Sequence, residues 1–167
     1  VIRIADEAGV VGIVTHMKCL GPESWGLSAT LVANIDKART RGVQVFADQY
    51  PYEASSTSLQ AATMPNDGAA SASEAMSNPV AKEKFLAIVR DNIRRRGGAK
   101  SIVIASGRGA AGAAGQNLDQ IPAARNITPE QAAVDLVIAG GASIISFNMS
   151  EDDIATIMRQ PWTMGSS

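Results

Sequence analysis

The sequence predicts an α/β fold built on parallel strands, and three observations lead there. Two short runs, Val10–Thr15 and Val43–Asp48, are rich in apolar and β-branched residues, as buried parallel strands are. Between them, Ser28–Arg41 carries Leu31, Ile35 and Ala38 at helical spacing. Each run is then followed by polar or aromatic side chains, Thr15-His16-Met17-Lys18 in one case and Asp48-Gln49-Tyr50-Pro51-Tyr52 in the other. Strand, helix, strand with reactive residues after each strand is how the C-terminal rim of a (β/α)8 barrel is built.

The remaining elements follow in order. Val1–Ala8 reads as the tail of a helix stopped by Gly9. Gly21-Pro22-Glu23-Ser24-Trp25-Gly26 is a loop dense in breakers. After the second strand, Ser55-Ser56-Thr57-Ser58 opens a small, polar stretch reaching Asn78, read as a long loop or excursion. A helix is predicted from Pro79 to Arg96, with proline suited to its first turn. Ser101–Ala105 is a strand, and Gly107–Gly115, rich in glycine and alanine, is a flexible loop. Thr128-Pro129 opens a helix that Gly140-Gly141 closes. Ser143–Phe147 is the last strand, and Ser150 caps a short helix with three acids in its first turn, ending near Arg159. No internal repeat is visible.

Bulk properties exclude several classes. At 167 residues, 46% apolar and 19% charged, the chain can bury a core and is not a disordered polymer. A net charge of −1 gives no electrostatic reason to bind nucleic acid or an anionic membrane. The basic run Arg94-Arg95-Arg96 fits the C-terminal end of a helix. No stretch has the roughly 18 consecutive apolar residues of a membrane span, and the start carries no basic, apolar leader. One cysteine forbids an internal disulfide and fits a cytoplasmic location. The chain stops directly after Gln160-Pro161-Trp162-Thr163-Met164, and is expected to be part of a larger catalytic domain.

The residues able to carry chemistry cluster after the two strands. His16 is the only histidine and a candidate metal ligand; a lone histidine is more often a structural hydrogen-bonding group, and no HxH, HExxH or CxxC accompanies it. Lys18, two residues on, can bind a carboxylate as a point charge or lie solvated at the surface. Tyr50 or Tyr52 can donate to an anionic group, or pack over the strand ends. Cys19 is read as a small buried hydrophobe with no catalytic role. Gly107-x-Gly109-x-x-Gly112 formally matches a dinucleotide pattern, but no convincing helix follows it, so nucleotide binding is not assigned.

Three blocks in order resemble the N-acyl-D-amino-acid deacylases, the D-aminoacylases of the amidohydrolase superfamily. They are Thr15-His16-Met17-Lys18-Cys19-Leu20-Gly21-Pro22 with Trp25-Gly26; Ala47-Asp48-Gln49-Tyr50-Pro51-Tyr52 with Ser55 to Ser58; and Phe147-Asn148-Met149-Ser150-Glu151-Asp152-Asp153 with Met158 to Met164. The resemblance implies a partial TIM-like (β/α)8 barrel, about strands six to eight, with an inserted small α/β subdomain. Residues 1–58 would be barrel strands six and seven, 59–142 an insertion or lid, and 143–167 the return to the barrel, with Ser143–Phe147 as strand eight or leading into it. It implies zinc, with His16 as one ligand, and Lys18 and Tyr50 binding the substrate carboxylate. The family's acid/base aspartate is expected just after Ser167, so no catalytic residue falls in this chain and the isolated chain is expected to be inactive. The small-molecule partner would be an N-acyl-D-amino acid, cleaved to a D-amino acid and a carboxylate. A barrel piece of three strands has open edges and an apolar face, so self-association is expected as well. Two alternatives stand beside this reading, a cyclic-amide amidohydrolase of the dihydroorotase or hydantoinase kind and a non-catalytic scaffold module.

Overall fold

The structure, a computed structural model, describes residues 1–65, 68–123 and 125–166. The chain forms two compact units, residues 1–53 with 149–167, and residues 54–148.

The first unit holds α1 (Ile2–Ala8), β1 (Gly12–Val14), α2 (Ser28–Thr40), β2 (Val45–Gln49), and, after the second unit, α8 (Glu151–Met158) and β6 (Thr163–Gly165). Its sheet runs β1-β2-β6, parallel throughout. The expected β1-α2-β2 arrangement is therefore present, and α1 ends at Gly9 in the left-handed conformation, φ 63°. Val45 and Ala47 turn to one face and are fully buried with Ile35 and Ala38 of α2, Ile157 of α8 and Trp162. Pairing of Ile13 with Phe46 and of Asp48 with Met164 puts these four on the opposite face. There Ile13 and Met164 are about half exposed.

The second unit holds β3 (Ala54–Ser58), α3 (Leu59–Thr63), α4 (Gly68–Met76), α5 (Pro79–Arg95), β4 (Ile102–Ser106), α6 (Gln120–Ala123), α7 (Pro129–Ile138) and β5 (Ser143–Phe147). Its sheet runs β3-β5-β4, antiparallel throughout. Ile102, Ile104 and Ile144 are fully buried against Leu59, Val89 and Val134 from the helices. Asn78 caps α5, its side chain accepting from the N–H groups of Val80 at 3.0 Å and Ala81 at 3.2 Å, and Thr128 caps α7.

Several expectations change. The stretch after Glu53 is no long loop. Its hydroxyl-rich composition misleads, because Ala54–Ser58 is a strand, and the Ser58 hydroxyl then caps α3 by accepting from Ala61 N–H at 3.1 Å. Asn66 and Asp67 of that stretch lie outside the described residues. Ser143–Phe147 does not enter the parallel sheet. It alternates buried Ile144 and Ser146 with exposed Ser143, Ile145 and Phe147, the pattern of an antiparallel strand with one wet face. The third parallel strand is instead Thr163–Gly165, too short and too poor in β-branched residues to stand out. Sheet pairing thus puts the unit boundaries at 53/54 and 148/149 in place of the expected 58/59 and 142/143. Ser150 makes no side-chain cap to α8.

The glycine-rich loop is packed. A Cβ on Gly109 would lie 2.1 Å from the Leu136 carbonyl oxygen, and one on Gly107, at φ 140°, 2.5 Å from that of Gly141. These glycines let the loop pass against the end of α7. The arginine run is also accounted for: Arg94 and Arg95 pair with Asp91, each at 2.8 Å, and Arg96 Nε donates to the Ala62 carbonyl at 3.1 Å.

Candidate functional site

The site is assembled where β1, β2 and β6 end, because parallel strands bring their C-terminal ends to one side. Beyond β1 the chain turns sharply at His16, whose φ is 51°, a left-handed backbone that a non-glycine residue adopts only when its surroundings hold it. The holding group is Asp48, just inside the end of β2. Its Oδ1 accepts from the His16 N–H at 2.8 Å and from the Ser166 hydroxyl at 3.0 Å. Main-chain bonds from Met17 N–H to the Asp48 carbonyl, 2.9 Å, and from Ser166 N–H to the Gln49 carbonyl, 3.0 Å, extend the pairing past the strands. The His16 N–H beside Asp48 holds its carboxyl below the usual carboxylate range, with the Ser166 hydroxyl adding to the effect against burial.

Lys18 folds back over this turn. Its Nζ donates to the His16 carbonyl at 2.7 Å and sits 5.1 Å from the Tyr50 ring centre. The His16 imidazole meets the same tyrosine edge-on, with ring centres 5.5 Å apart, and Tyr52 stacks on Tyr50 at 6.2 Å. Tyr50 is buried against Met149 and Ile154, whereas Tyr52 is exposed. His16, Lys18 and Tyr50 therefore lie together. The imidazole and the ammonium share an aromatic wall, and both side chains remain partly open to solvent.

Cys19 is buried, and burial together with the neighbouring Asp153 carboxylate pushes its thiol up to about 11. A thiol so protonated is neither a nucleophile nor a ready metal ligand at neutral pH. Among the described residues, no three His, Cys, Asp or Glu side chains are grouped to hold a metal ion. His16 offers one imidazole nitrogen, and the described residues group no further donors with it into a metal-binding set.

Sequence reasoning did not single out Asp48 and Ser166 for their contact with His16, nor Asp153. The alternation along β2, with Val45, Ala47 and Gln49 buried and Phe46 and Asp48 on the other side, is the signal that sets Asp48 on the same face as Ile13.

No protein-family model matches the chain. A 59-residue stretch, 35% of this chain and 12% of the relative, is 46% identical to an N-acyl-D-glutamate deacylase of Alcaligenes xylosoxydans xylosoxydans. Among solved structures, the N-acyl-D-glutamate deacylase of Bordetella bronchiseptica, complexed with zinc and a phosphonate mimic of the tetrahedral intermediate, matches 99% of this chain with TM-score 0.70 and 28% identity. This chain is similar to part of an N-acyl-D-amino-acid deacylase. A D-aminoacylase, described as defining a novel subset of amidohydrolases, matches with TM-score 0.68 and 24% identity, again over 99% of the chain, and supports the fold alone. A further D-aminoacylase structure, on the role of a binuclear metal centre, matches equally well. The chain spans 27% of the length of these deacylase structures. No helix among the described residues is long and apolar enough to cross a membrane.

Proposed function

We propose that this chain is a wall of a zinc-dependent N-acyl-D-amino-acid deacylase, supplying one metal-ligating imidazole, His16, and the groups that read the substrate carboxylate, Lys18 and Tyr50. The observation that carries the reading is the convergence of these three side chains beyond parallel strands, in a chain that aligns along nearly its whole length with a zinc-containing deacylase. Zinc, where bound, supplies Lewis acidity toward water and the amide carbonyl. The residues of this chain bind and orient. Asp48 fixes the His16 backbone, Lys18 offers a positive charge, and Tyr50 backs both. A substrate carboxylate would take the Lys18 ammonium from the His16 carbonyl, exchanging a neutral acceptor for a charged one.

The face that bears half-exposed Ile13 and Met164 beside part-buried Phe46 is read as the inner wall of a (β/α)8 barrel, and the second unit as its insertion. The isolated chain, with one imidazole, is expected to be inactive and to self-associate through that face; light scattering showing a strict monomer would count against the association. The single cysteine favours a cytoplasmic protein.

The test is a substitution series in the intact enzyme. Lys18→Ala removes a charge-assisted hydrogen bond of roughly 1.5–3 kcal/mol, about a 10- to 150-fold loss in kcat/KM on N-acyl-D-amino acids. An N-acyl amine without the carboxylate should be a poor substrate and lose little more. His16→Ala should remove metal, measured by elemental analysis, and abolish turnover of both compounds. Equal loss on both from Lys18→Ala would refute carboxylate reading.

A further inference from the structure

Lys18 lies at the mouth of a segment that has little regular structure of its own. From Cys19 to Leu27 the chain makes one short turn at Pro22–Ser24 and then enters α2. What gathers this segment is a single carboxylate far away in sequence. Asp153, in the first turn of α8, accepts the Gly26 N–H at 3.1 Å on Oδ1 and 2.9 Å on Oδ2, and the Ser28 N–H at 3.2 Å on Oδ1. The Ser28 hydroxyl and the Cys19 thiol also hydrogen-bond to it. The donors thus come from both ends of the loop, Cys19 where it leaves the site and Gly26 to Ser28 where it enters the helix.

This carboxylate is 3% exposed, and the groups that act on it most strongly are the neutral donors of Ser28, Gly26 and Cys19. A buried charge so placed is costly unless its lone pairs are filled, and it interacts best with a helix N-terminus, where Asp153 sits. Burial alone would raise its proton affinity, yet the bonds from Ser28 and Gly26 outweigh that and hold it below the usual range. Its loss would leave several buried donors without an acceptor at once.

We propose that Asp153 is a positioning residue that clasps the two ends of the Cys19–Ser28 loop and so holds Lys18 where it meets the carboxylate of the substrate. The second half of this statement rests on the reading of Lys18 given above, and the first half does not. Asp153 touches no substrate in this account and acts through the loop. Cys19, the only cysteine in the chain, supplies a reporter inside the clasp.

The test begins with the chain itself. Reaction of Cys19 with 4,4′-dithiodipyridine is followed in wild type, Asp153→Asn and Ser28→Ala, against urea at constant pH. Asp153→Asn should accelerate labelling by about 10-fold or more through a local opening with a shallow urea dependence. Ser28→Ala, which removes one donor and spares the fold should the first variant fail to fold, should accelerate it by about 3-fold. Labelling that in every variant follows the full urea dependence of global unfolding overturns the clasp, since Asp153 would then be a general stability residue. The second arm uses the intact enzyme. Asp153→Asn should raise KM for an N-acyl-D-amino acid about 10-fold, leave kcat within about 3-fold, and spare an N-acyl amine lacking the carboxylate. An unchanged KM, with Lys18→Ala still selective for the carboxylate, overturns the positioning role. If Lys18→Ala is itself unselective while Cys19 labelling is accelerated, the reading of Lys18 has failed and the clasp stands.

Discussion

In the unit of residues 54–148 an antiparallel sheet turns Ile102, Ile104 and Ile144 into a layer of helices, and none of the three keeps any exposure. Its other face is wet, with Ile145 and Phe147 of β5 exposed, and the unit of residues 1–53 and 149–167 likewise packs helices on one face of its sheet. Val45 and Ala47 vanish beneath α2 and α8, while Ile13 and Met164 stay near half exposed on the other side. Antiparallel sheets tolerate one wet face, and parallel sheets are nearly always covered on both. The first architecture is a self-sufficient core. The second is a scaffold whose uncovered face carries Asp48 and leads to His16 and Lys18. The candidate site residues His16, Lys18 and Tyr50 therefore sit in the unit where parallel strand ends converge.

The largest effect that can break this contrast comes from one substitution made in each unit. Ile144→Thr places a hydroxyl with no partner in a fully buried site and removes a methylene-sized volume. A loss of about 2–4 kcal/mol is expected in urea unfolding followed by a probe in the 54–148 unit. A loss below about 1 kcal/mol would mean that this core is looser than its burial indicates.

Next comes pH, which should separate the units by their titrating groups. Asp153 is depressed in the folded state, so its contribution is full above the unfolded value near 4 and fades as pH falls through the lower folded value. Cys19 is raised from 9.0 to about 11, so its contribution is full below about 9 and fades as pH rises toward about 11. Both groups meet at the Cys19–Ser28 loop. Hydrogen exchange should show the Gly26 and Ser28 amides losing protection at both extremes before the amides of β4 and β5 do. Simultaneous loss across both units would place the sensitivity elsewhere.

Trp162→Phe is a smaller perturbation within the first unit. The indole Nε1 donates to Asp36 Oδ1 at 2.8 Å, tying the turn before β6 to α2. Removing that donor while keeping most of the ring should cost about 1 kcal/mol, read from urea denaturation of the first unit. No change in midpoint would show that the bond makes no net contribution.

Much of this was legible in the sequence, and for reasons that can be stated. Leu31, Ile35 and Ala38 repeat at helical spacing, and two β-branched runs flank them, so the β1-α2-β2 unit and the shared end holding His16 and Asp48 could be read directly. The helices from Pro79 and from Pro129 announced themselves by their prolines, and the second by its Thr128 cap as well. Strand β3 did not, because Ala54–Ser58 holds no large apolar residue and its partner β5 lies far along the chain. Asp153 was indistinguishable from Glu151 and Asp152 as a first-turn acid. Only its phase with Ile154 and Ile157, the other buried residues of α8, marks it as inward-facing, and no local pattern names the loop it would meet. Ser166 lacked any pattern, since its role depends on β6 lying beside β2.

The smallest expected effect is the sharpest test of the comparison. Ile13→Thr is the same chemical change as Ile144→Thr, made at a site 49% exposed. The new hydroxyl can reach water, so the penalty for an unpaired buried donor vanishes. Threonine keeps the β-branched shape that suits a strand, and only part of the isoleucine surface was withdrawn from solvent to begin with. A change within about 0.5 kcal/mol is expected in urea unfolding of the first unit, against the far larger loss at Ile144. The same substitution should also weaken any association through the Ile13, Phe46 and Met164 face, because it trades apolar surface for polar at its centre. A cost at Ile13 as large as that at Ile144 would mean that this face is already covered in solution, and the two units would then differ in strand direction alone.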